Sequence, residues 1–336
     1  MNRRRKIILH IGAPKTGSTA IQNFLGLNAE ALRTEGIIVP DDDLGMSGPA
    51  SGSHLRKMVE LRENPVEGGK ALEIAITNIF ERANGASAIL ISAEHLAANK
   101  SGPRLFERLA ESHDIEVILY IRRQDEFILS AWQQWGAKTE EDFLAWLLSV
   151  VGRQADWAAY LKNWETIVPR DKITVRIFDR RQMKDGDVIA DFFDLLGLST
   201  PFKAFTYPPS LANPSLAEAI VDLVRGSKHA FRDRHDNRFQ GFVHDVSGDR
   251  FVKNSRESIL TAAQRRAIVK RYAASNRWVR QNYFPDRKED LFAPIEDGNY
   301  FCPTRGEWRR QQLEFLALAL YGLYRWRERK TTGRNK

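Results

Sequence analysis

A lysine and several hydroxyl side chains lie close together near the amino terminus, in the run GAPKTGST at residues 12–19. The apolar run 7–11 before it predicts a buried parallel strand, and an apolar-periodic pattern predicts a helix that begins at Ser18. The N–H groups and the dipole of a helix N-terminus attract anions. The pattern therefore predicts an anion site, to which Lys15 adds a full charge. Further donors are the hydroxyl groups of Thr16, Ser18 and Thr19.

The order of residues in this loop argues against a nucleotide triphosphate. A Walker A loop has a glycine, four residues, and then Gly-Lys-Ser/Thr. The spacing from Gly12 to Gly17 fits, but Ser18 follows Gly17 where the lysine belongs, and Lys15 stands inside the loop instead. No later apolar run ends in a lone Asp of the kind that holds magnesium in P-loop enzymes.

A second pair of cations follows another predicted strand. The apolar run EVILYI at residues 116–121 ends in Arg122 and Arg123. Two positive charges at a strand end indicate a second phosphate rather than a metal ion, because cations repel a metal and pair with phosphate oxygens.

Together the two segments resemble the sulfotransferases that use 3′-phosphoadenosine-5′-phosphosulfate (PAPS). APKTGSTAIQNFL is similar to the 5′-phosphosulfate loop of that family, and YIRRQDEFILSAW at residues 120–132 is similar to its 3′-phosphate motif. In the second motif an Arg ends the strand and a Ser follows eight residues later, which are Arg122 and Ser130 here. The resemblance covers about residues 6–198. It implies PAPS as co-substrate and a transfer that needs no metal.

The resemblance gives each residue a role. Lys15 would donate to the oxygen between phosphorus and sulfur, and Arg122 would give two parallel N–H bonds to the 3′-phosphate, with a hydroxyl added by Ser130. A preorganised set of donors would hold the 5′-phosphate. That set is expected to come from the backbone and hydroxyl groups of Thr16, Gly17, Ser18 and Thr19.

A general base is expected from the run AILISAEHL at residues 88–96, which predicts a third apolar strand. Ligands bind at the carboxyl ends of strands in open α/β sheets, and there Glu94 or His95 could take a proton from an acceptor hydroxyl. His95 is similar to the base of cytosolic family members, and Glu94 to the carboxylate of some glycan-directed members. Both stay candidates, although strand alternation predicts that only one of them points inward.

Composition limits the class of protein. The chain has 336 residues, 43% of them hydrophobic, a formal net charge of +8 and one cysteine, Cys302, so no intramolecular disulfide is expected. No apolar run reaches the length of a signal-peptide core or a membrane span, which predicts a cytoplasmic protein without a membrane span. The basic surface fits an anionic co-substrate, and no zinc-finger or RNP-like motif supports a nucleic-acid partner.

Alternating strands and helices predict a P-loop-like three-layer α/β/α fold with a central parallel sheet, followed by a mostly helical part. We expect a PAPS-binding core at residues 1–200 and a helical extension at 201–336. Polar residues 228–258 lack periodicity and are a candidate lid loop. The acceptor is expected to be a hydroxyl of a carbohydrate or glycoconjugate. The alternatives are a divergent P-loop kinase or NTPase and a non-catalytic binder of nucleotides or polyanions with the same fold.

Overall fold

The computed structural model describes residues 4–83, 85–209, 215–253 and 256–332. The chain divides into two compact units, each built from three segments. Unit 1 comprises Met1–Arg123, Ala155–Leu211 and Ala274–Phe292, and unit 2 comprises Gln124–Gln154, Ala212–Ala273 and Ala293–Lys336. The domain boundary near residue 200 stays a prediction.

Unit 1 contains a five-stranded sheet. In chain order its strands are β1 (Lys6–His10), β2 (Ile37–Ile38), β3 (Ala88–Ser92), β4 (Asp114–Ile121) and β5 (Ile173–Ile177). They lie in the order β2-β3-β1-β4-β5, and every pairing is parallel. The predicted α/β fold with a central parallel sheet is confirmed.

The α-helices of the described residues are α1 (Ser18–Leu27), α2 (Ala29–Thr34), α3 (Leu55–Leu61), α4 (Pro65–Arg82), α5 (Glu107–Ser112), α6 (Gln124–Ala131), α7 (Ala137–Thr139), α8 (Phe143–Val150), α9 (Trp157–Trp164), α10 (Val188–Leu196), α11 (Glu218–Val224), α12 (Arg238–Ser247), α13 (Ala262–Arg271), α14 (Ala273–Tyr283) and α15 (Arg305–Thr332). Within the described ranges, no helix is both long and apolar enough to cross a membrane.

The middle residues of the central strands are apolar because both faces of the sheet are covered. On one face, Ile8 and Leu90 pack in a cluster with residues of α1 and α10, among them Phe24 and Phe192. Successive strand residues point to opposite faces, so Ile7 and Leu9 face the other way. Both have no exposed surface, which requires a second covering layer.

The order of the strands creates a site at one edge of the sheet. After β1 the chain forms β2 and β3 on one side of β1, and then β4 and β5 on the other side. The segments that follow β3, β1 and β4 therefore leave the same edge of the sheet next to one another. Ligands of open α/β sheets bind at such a switch of direction.

Two elements of unit 1 differ from the sequence prediction. The predicted strand 88–96 ends at Ser92, and Glu94–Leu96 is a 3-10 turn. The sequence pattern predicts one helix from Ser18 to about Arg33, but it breaks at Asn28, whose side-chain amide nitrogen donates to the carbonyl oxygens of Phe24 and Thr206 at 2.8 Å each. A side chain that bonds the backbone in this way competes with helix continuation.

Unit 2 is helical around a small core, whose buried members are Ala217, Ile220, Val243, Phe251 and Phe315. Segment 228–258 is not a structureless loop, because it contains α12. The sequence pattern missed α12 because its apolar residues are few, and its inward side is stabilised by tertiary packing of Phe239 and Val243. Among the residues proposed for a lid, Arg250 pairs with Glu314 and Lys253 with Glu218.

Candidate active site

The loop between β1 and α1 is fixed by its neighbours and by its own side chains. The N–H of Ile11 donates to the Ile118 carbonyl oxygen at 3.1 Å, and the N–H of Ala97 donates to the Ile11 carbonyl oxygen at 3.2 Å. The buried hydroxyl of Thr16 donates to the Ala13 carbonyl oxygen at 2.5 Å. Thr16 therefore holds the loop together with its side chain, and its contribution to an anion would come from its backbone N–H.

Helix α1 begins without a side-chain cap. Gly17, at its N-cap, adopts φ 79°, and the first turn carries no acidic residue. A Cβ at Gly17 would lie 2.9 Å from Phe178 Cε2 and 3.0 Å from Val188 Cγ1. Both the left-handed backbone and the close packing therefore require glycine at this position. The positive end of the α1 helix dipole therefore faces the loop without a side-chain cap.

The hydroxyls at the start of α1 differ in their surroundings. Ser18 is buried and donates its hydroxyl to Glu94 Oε1, whereas Thr19 is exposed. Glu94 is half-buried on the turn after β3, as is His95. Glu94 and His95 lie in a 3-10 turn, so strand alternation does not decide which of them points inward. The structure brings Glu94 to the start of α1.

Lys15 is half-buried and adopts φ 67°, a left-handed conformation that is uncommon outside glycine. Its carbonyl oxygen accepts a hydrogen bond from Arg122 Nη1 at 3.1 Å. The side chain of Arg122, which the sequence assigned to one phosphate, thus contacts the backbone of Lys15, which the sequence assigned to the other.

Arg122 is held from two further sides. Its guanidinium carbon lies 5.5 Å from the centre of the Phe178 ring, and its carbonyl oxygen accepts a hydrogen bond from Trp157 Nε1 at 3.0 Å. Phe178 also contacts the start of α1 at Gly17. Through Arg122 and Phe178, the end of β4 therefore contacts the loop that follows β1.

Ser130, the predicted partner of Arg122 at the 3′-phosphate, lies in α6 of unit 2 and is half-buried. Within that unit, α6 is anchored by the buried ion pair between Asp125 and Arg265 of α13, at 2.8 Å. The pairing of Ser130 with Arg122 at one phosphate stays a prediction.

The sequence predicts no functional role for His10, the last residue of β1. The structure buries it completely, and burial lowers the pKa of its imidazole to about 4, so the ring is neutral. His10 Nδ1 lies 2.8 Å from Ser92 Oγ at the end of β3. The signal in the sequence is a histidine that follows three aliphatic residues at the end of a strand, two positions before the glycine that opens the loop.

The chain was compared with known proteins, and no family model matches it. An uncharacterized protein of Archaeoglobus fulgidus is 25% identical over 186 residues, which are 54% of this chain and 49% of that protein, so the chain spans about half the length of this relative. A solved sulfotransferase from Alicyclobacillus acidocaldarius is 15% identical, with 62% of this chain and 88% of that chain covered at a TM-score of 0.35. The sulfotransferase domain from the curacin biosynthetic pathway is 12% identical, with 60% and 76% covered at a TM-score of 0.32. At these TM-scores, neither similarity indicates a function for this chain.

The site's own residues define its chemistry. Lys15 and Arg122 place two cationic residues beside the positive end of α1, and Glu94 adds a carboxylate that accepts a hydrogen bond from Ser18 at that end. Such a site can stabilise negative charge that develops on a leaving group and accept a proton from an attacking hydroxyl.

Proposed function

We propose that this protein transfers a sulfuryl group from PAPS to an acceptor hydroxyl. The observation that carries the proposal is the contact between Arg122 and the carbonyl oxygen of Lys15, the lysine inside the loop between β1 and α1. This hydrogen bond joins the arginine at the end of β4 to the loop between β1 and α1, which resembles phosphate-binding loops. PAPS carries a 5′-phosphosulfate and a 3′-phosphate, and the pair of cations matches two such groups.

The donor supplies a sulfuryl group on a good leaving group, the 5′-phosphate. The acceptor oxygen forms a bond to sulfur while the bond between sulfur and the phosphate oxygen breaks. Lys15 and the N–H groups of residues 16–19 stabilise the charge that grows on the departing phosphate. Arg122 supplies positive charge for the 3′-phosphate, and Ser130 is the proposed hydroxyl donor there.

Glu94 is the favoured general base in this proposal, because Ser18 at the start of α1 donates its hydroxyl to the Glu94 carboxylate. That contact supports a position close enough to the loop to receive the acceptor's proton. His95 lies on the same turn and remains the second candidate. No metal ion takes part in the proposed reaction.

The proposed acceptor is a hydroxyl of a carbohydrate or glycoconjugate, and the proposed location is the cytoplasm. The test is transfer of radiolabelled sulfate from PAPS onto panels of glycans, phenols and lipids in the presence of EDTA. Labelled glycan that disappears with the Lys15→Ala variant would support the proposal. If only phenols or lipids become labelled, the acceptor belongs to another chemical class, and the proposed sulfuryl transfer still holds. Transfer that depends on magnesium would argue against the proposed mechanism.

A further inference from the structure

Of the two ring nitrogens of His10, one has a hydrogen-bond partner among the described residues and the other does not. Nδ1 lies 2.8 Å from Ser92 Oγ. Nε2 is buried and has no hydrogen-bond partner among the residues that the structure describes. A buried polar atom without a partner costs about 1–3 kcal/mol, so it calls for a physical reason.

The proton of a neutral His10 lies on one of its two ring nitrogens. Gln22 Nε2 donates to Ser92 Oγ at 3.3 Å, which leaves the Ser92 hydroxyl one lone pair and its own hydrogen for the contact with His10 Nδ1. A neutral imidazole has one donor and one acceptor nitrogen. If Nδ1 accepts, Nε2 carries the hydrogen, and the unpartnered atom is a donor.

The unpartnered nitrogen faces the loop. A Cβ placed on Gly12 would lie 3.4 Å from His10 Nε2, 3.3 Å from His10 Cε1 and 3.5 Å from Ser18 Cβ. Gly12 has no such atom and adopts φ 23°, so its backbone passes close over this edge of the ring. The Nε2 edge thus lies directly beneath the residue that opens the loop, next to the start of α1.

The surroundings of the ring elsewhere are aromatic. The ring of Phe192 lies 5.5 Å and that of Tyr120 6.2 Å from the His10 ring, both edge-on. The Tyr120 hydroxyl donates to Asp191 at 2.8 Å. The polar side of the His10 environment is therefore the loop.

We propose that His10 is a ligand-binding residue whose Nε2–H donates to an oxygen of the anion held by the loop at residues 12–17. The identification of that anion as the 5′-phosphate group of the donor rests on the proposed function. This nitrogen has no partner in the part of the chain that the structure describes, and the bound anion would supply one.

Two substitutions separate the nitrogens of His10. His10→Asn keeps a polar atom near Nδ1 for Ser92 and removes the Nε2 donor, whereas His10→Gln places an amide nitrogen near Nε2. The probes are 3′-phosphoadenosine-5′-phosphate (PAP) and adenosine 3′-monophosphate, which lacks the 5′-phosphate. We expect His10→Asn to weaken PAP binding by about tenfold or more and His10→Gln to recover most of that loss. Binding of adenosine 3′-monophosphate should be the same for all three proteins.

Nitrogen NMR of the wild-type protein tests the same contact without a substitution, in case the variants do not fold. His10 should have its hydrogen on Nε2, and PAP or inorganic sulfate should shift that resonance. His54 is the internal control, because both of its nitrogens have partners: Ser92 N donates to Nδ1 at 3.2 Å, and Nε2 lies 3.2 Å from the Pro40 carbonyl oxygen. Its resonances should not respond.

The outcomes distinguish this inference from the proposed function. If PAP does not bind but sulfate shifts His10 Nε2, the donor assignment fails and the role of His10 stands. If the protein transfers sulfuryl groups but His10→Asn binds PAP as the wild type does, the inference is overturned and the function stands. A hydrogen on Nδ1, or an Nε2 resonance that ignores both ligands, also overturns it.

Discussion

At the scale of single residues, Lys15 combines the charge proposed for catalysis with an unfavourable backbone conformation. A left-handed conformation costs a residue with a Cβ about 1–2 kcal/mol, and such outliers concentrate at functional sites. The sequence indicated Lys15 through its place in the loop, and Arg122 through its place after a strand. It gave no reason to connect His10 with Ser92, because the two residues are separated by 82 positions and meet only through the pairing of β1 with β3.

Lys15→Ala should lower kcat for sulfuryl transfer by about 10²–10³, since one preorganised donor to a developing charge contributes about that much. The free energy of unfolding should change by no more than about 0.5 kcal/mol. Steady-state kinetics and urea unfolding measure the two effects, with Lys15→Arg as the variant that keeps the charge. Equal kcat in the wild type and Lys15→Ala would remove Lys15 from the reaction.

Gly17→Ala should both destabilise the protein and weaken PAP binding, because the new Cβ meets Phe178 and Val188 at 3.0 Å or less. Gly197→Ala is the matched control, with φ 59° and nothing within 4 Å of the new Cβ, so it isolates the backbone cost of about 1 kcal/mol. Unfolding should be easier for Gly17→Ala than for Gly197→Ala, and only the first should alter the dissociation constant of PAP. Identical unfolding curves for the two variants would contradict the packing described for the loop.

Glu94→Gln and His95→Ala discriminate between the two candidate bases. We expect Glu94→Gln to lower kcat by about 10²–10⁴, the usual contribution of a general base, with PAP binding little changed. His95→Ala should retain most of the activity. The reverse result would transfer the role to His95, and the proposed contact of Glu94 with the acceptor would then be wrong.

At the scale of elements, the apolar runs 7–11, 88–96 and 116–121 predicted β1, β3 and β4, because buried parallel strands are rich in apolar residues. The ends of elements were harder to predict. The turn after Ser92 and the break at Asn28 depend on hydrogen bonds to residues far away in the sequence, such as Thr206. Spacing within one segment cannot contain that information.

Helix α9 positions two parts of the site through two buried tryptophans. Trp157 Nε1 donates to the Arg122 carbonyl oxygen at 3.0 Å, and Trp164 Nε1 donates to the Leu96 carbonyl oxygen, on the turn of Glu94, at 3.3 Å. Replacement by Phe removes each donor and keeps an aromatic ring. Both Trp157→Phe and Trp164→Phe should lower the free energy of unfolding by about 1–3 kcal/mol.

Their functional effects should differ. Trp157→Phe is expected to raise the dissociation constant of PAP, and Trp164→Phe to lower kcat with PAP binding preserved. Calorimetry and steady-state kinetics on both variants check this separation. The same pattern of effects in both would indicate that α9 acts only through general stability.

At the scale of the whole molecule, buried neutral histidines make stability depend on pH. Burial lowers the pKa of His10 from 6.5 to about 4, and burial also lowers the pKa of His54. Between these values the unfolded chain binds more protons than the folded one, so this stability is present above about pH 6.5 and is lost as the pH falls. The loss from His10 alone should reach about 3 kcal/mol near pH 4.

Urea unfolding between pH 7 and pH 4 measures this dependence, and His10→Asn should flatten it. Asp179, whose pKa Arg181 lowers from 3.8 to about 2, begins to lose its own stabilising contribution only at the low end of this window, and that loss should be the same in the wild type and in His10→Asn. If His10→Asn leaves the dependence of the unfolding free energy on pH unchanged, His10 is not the buried neutral group described.

The most direct test of the central claim is calorimetric titration of the wild-type protein with PAP in EDTA, compared with ATP in EDTA and in magnesium. The site pairs a loop lysine with the arginine that follows β4, so PAP should bind more tightly than ATP under every condition, and magnesium should not strengthen its binding. Tighter binding of ATP with magnesium than of PAP would contradict the assignment of this site to a sulfuryl donor.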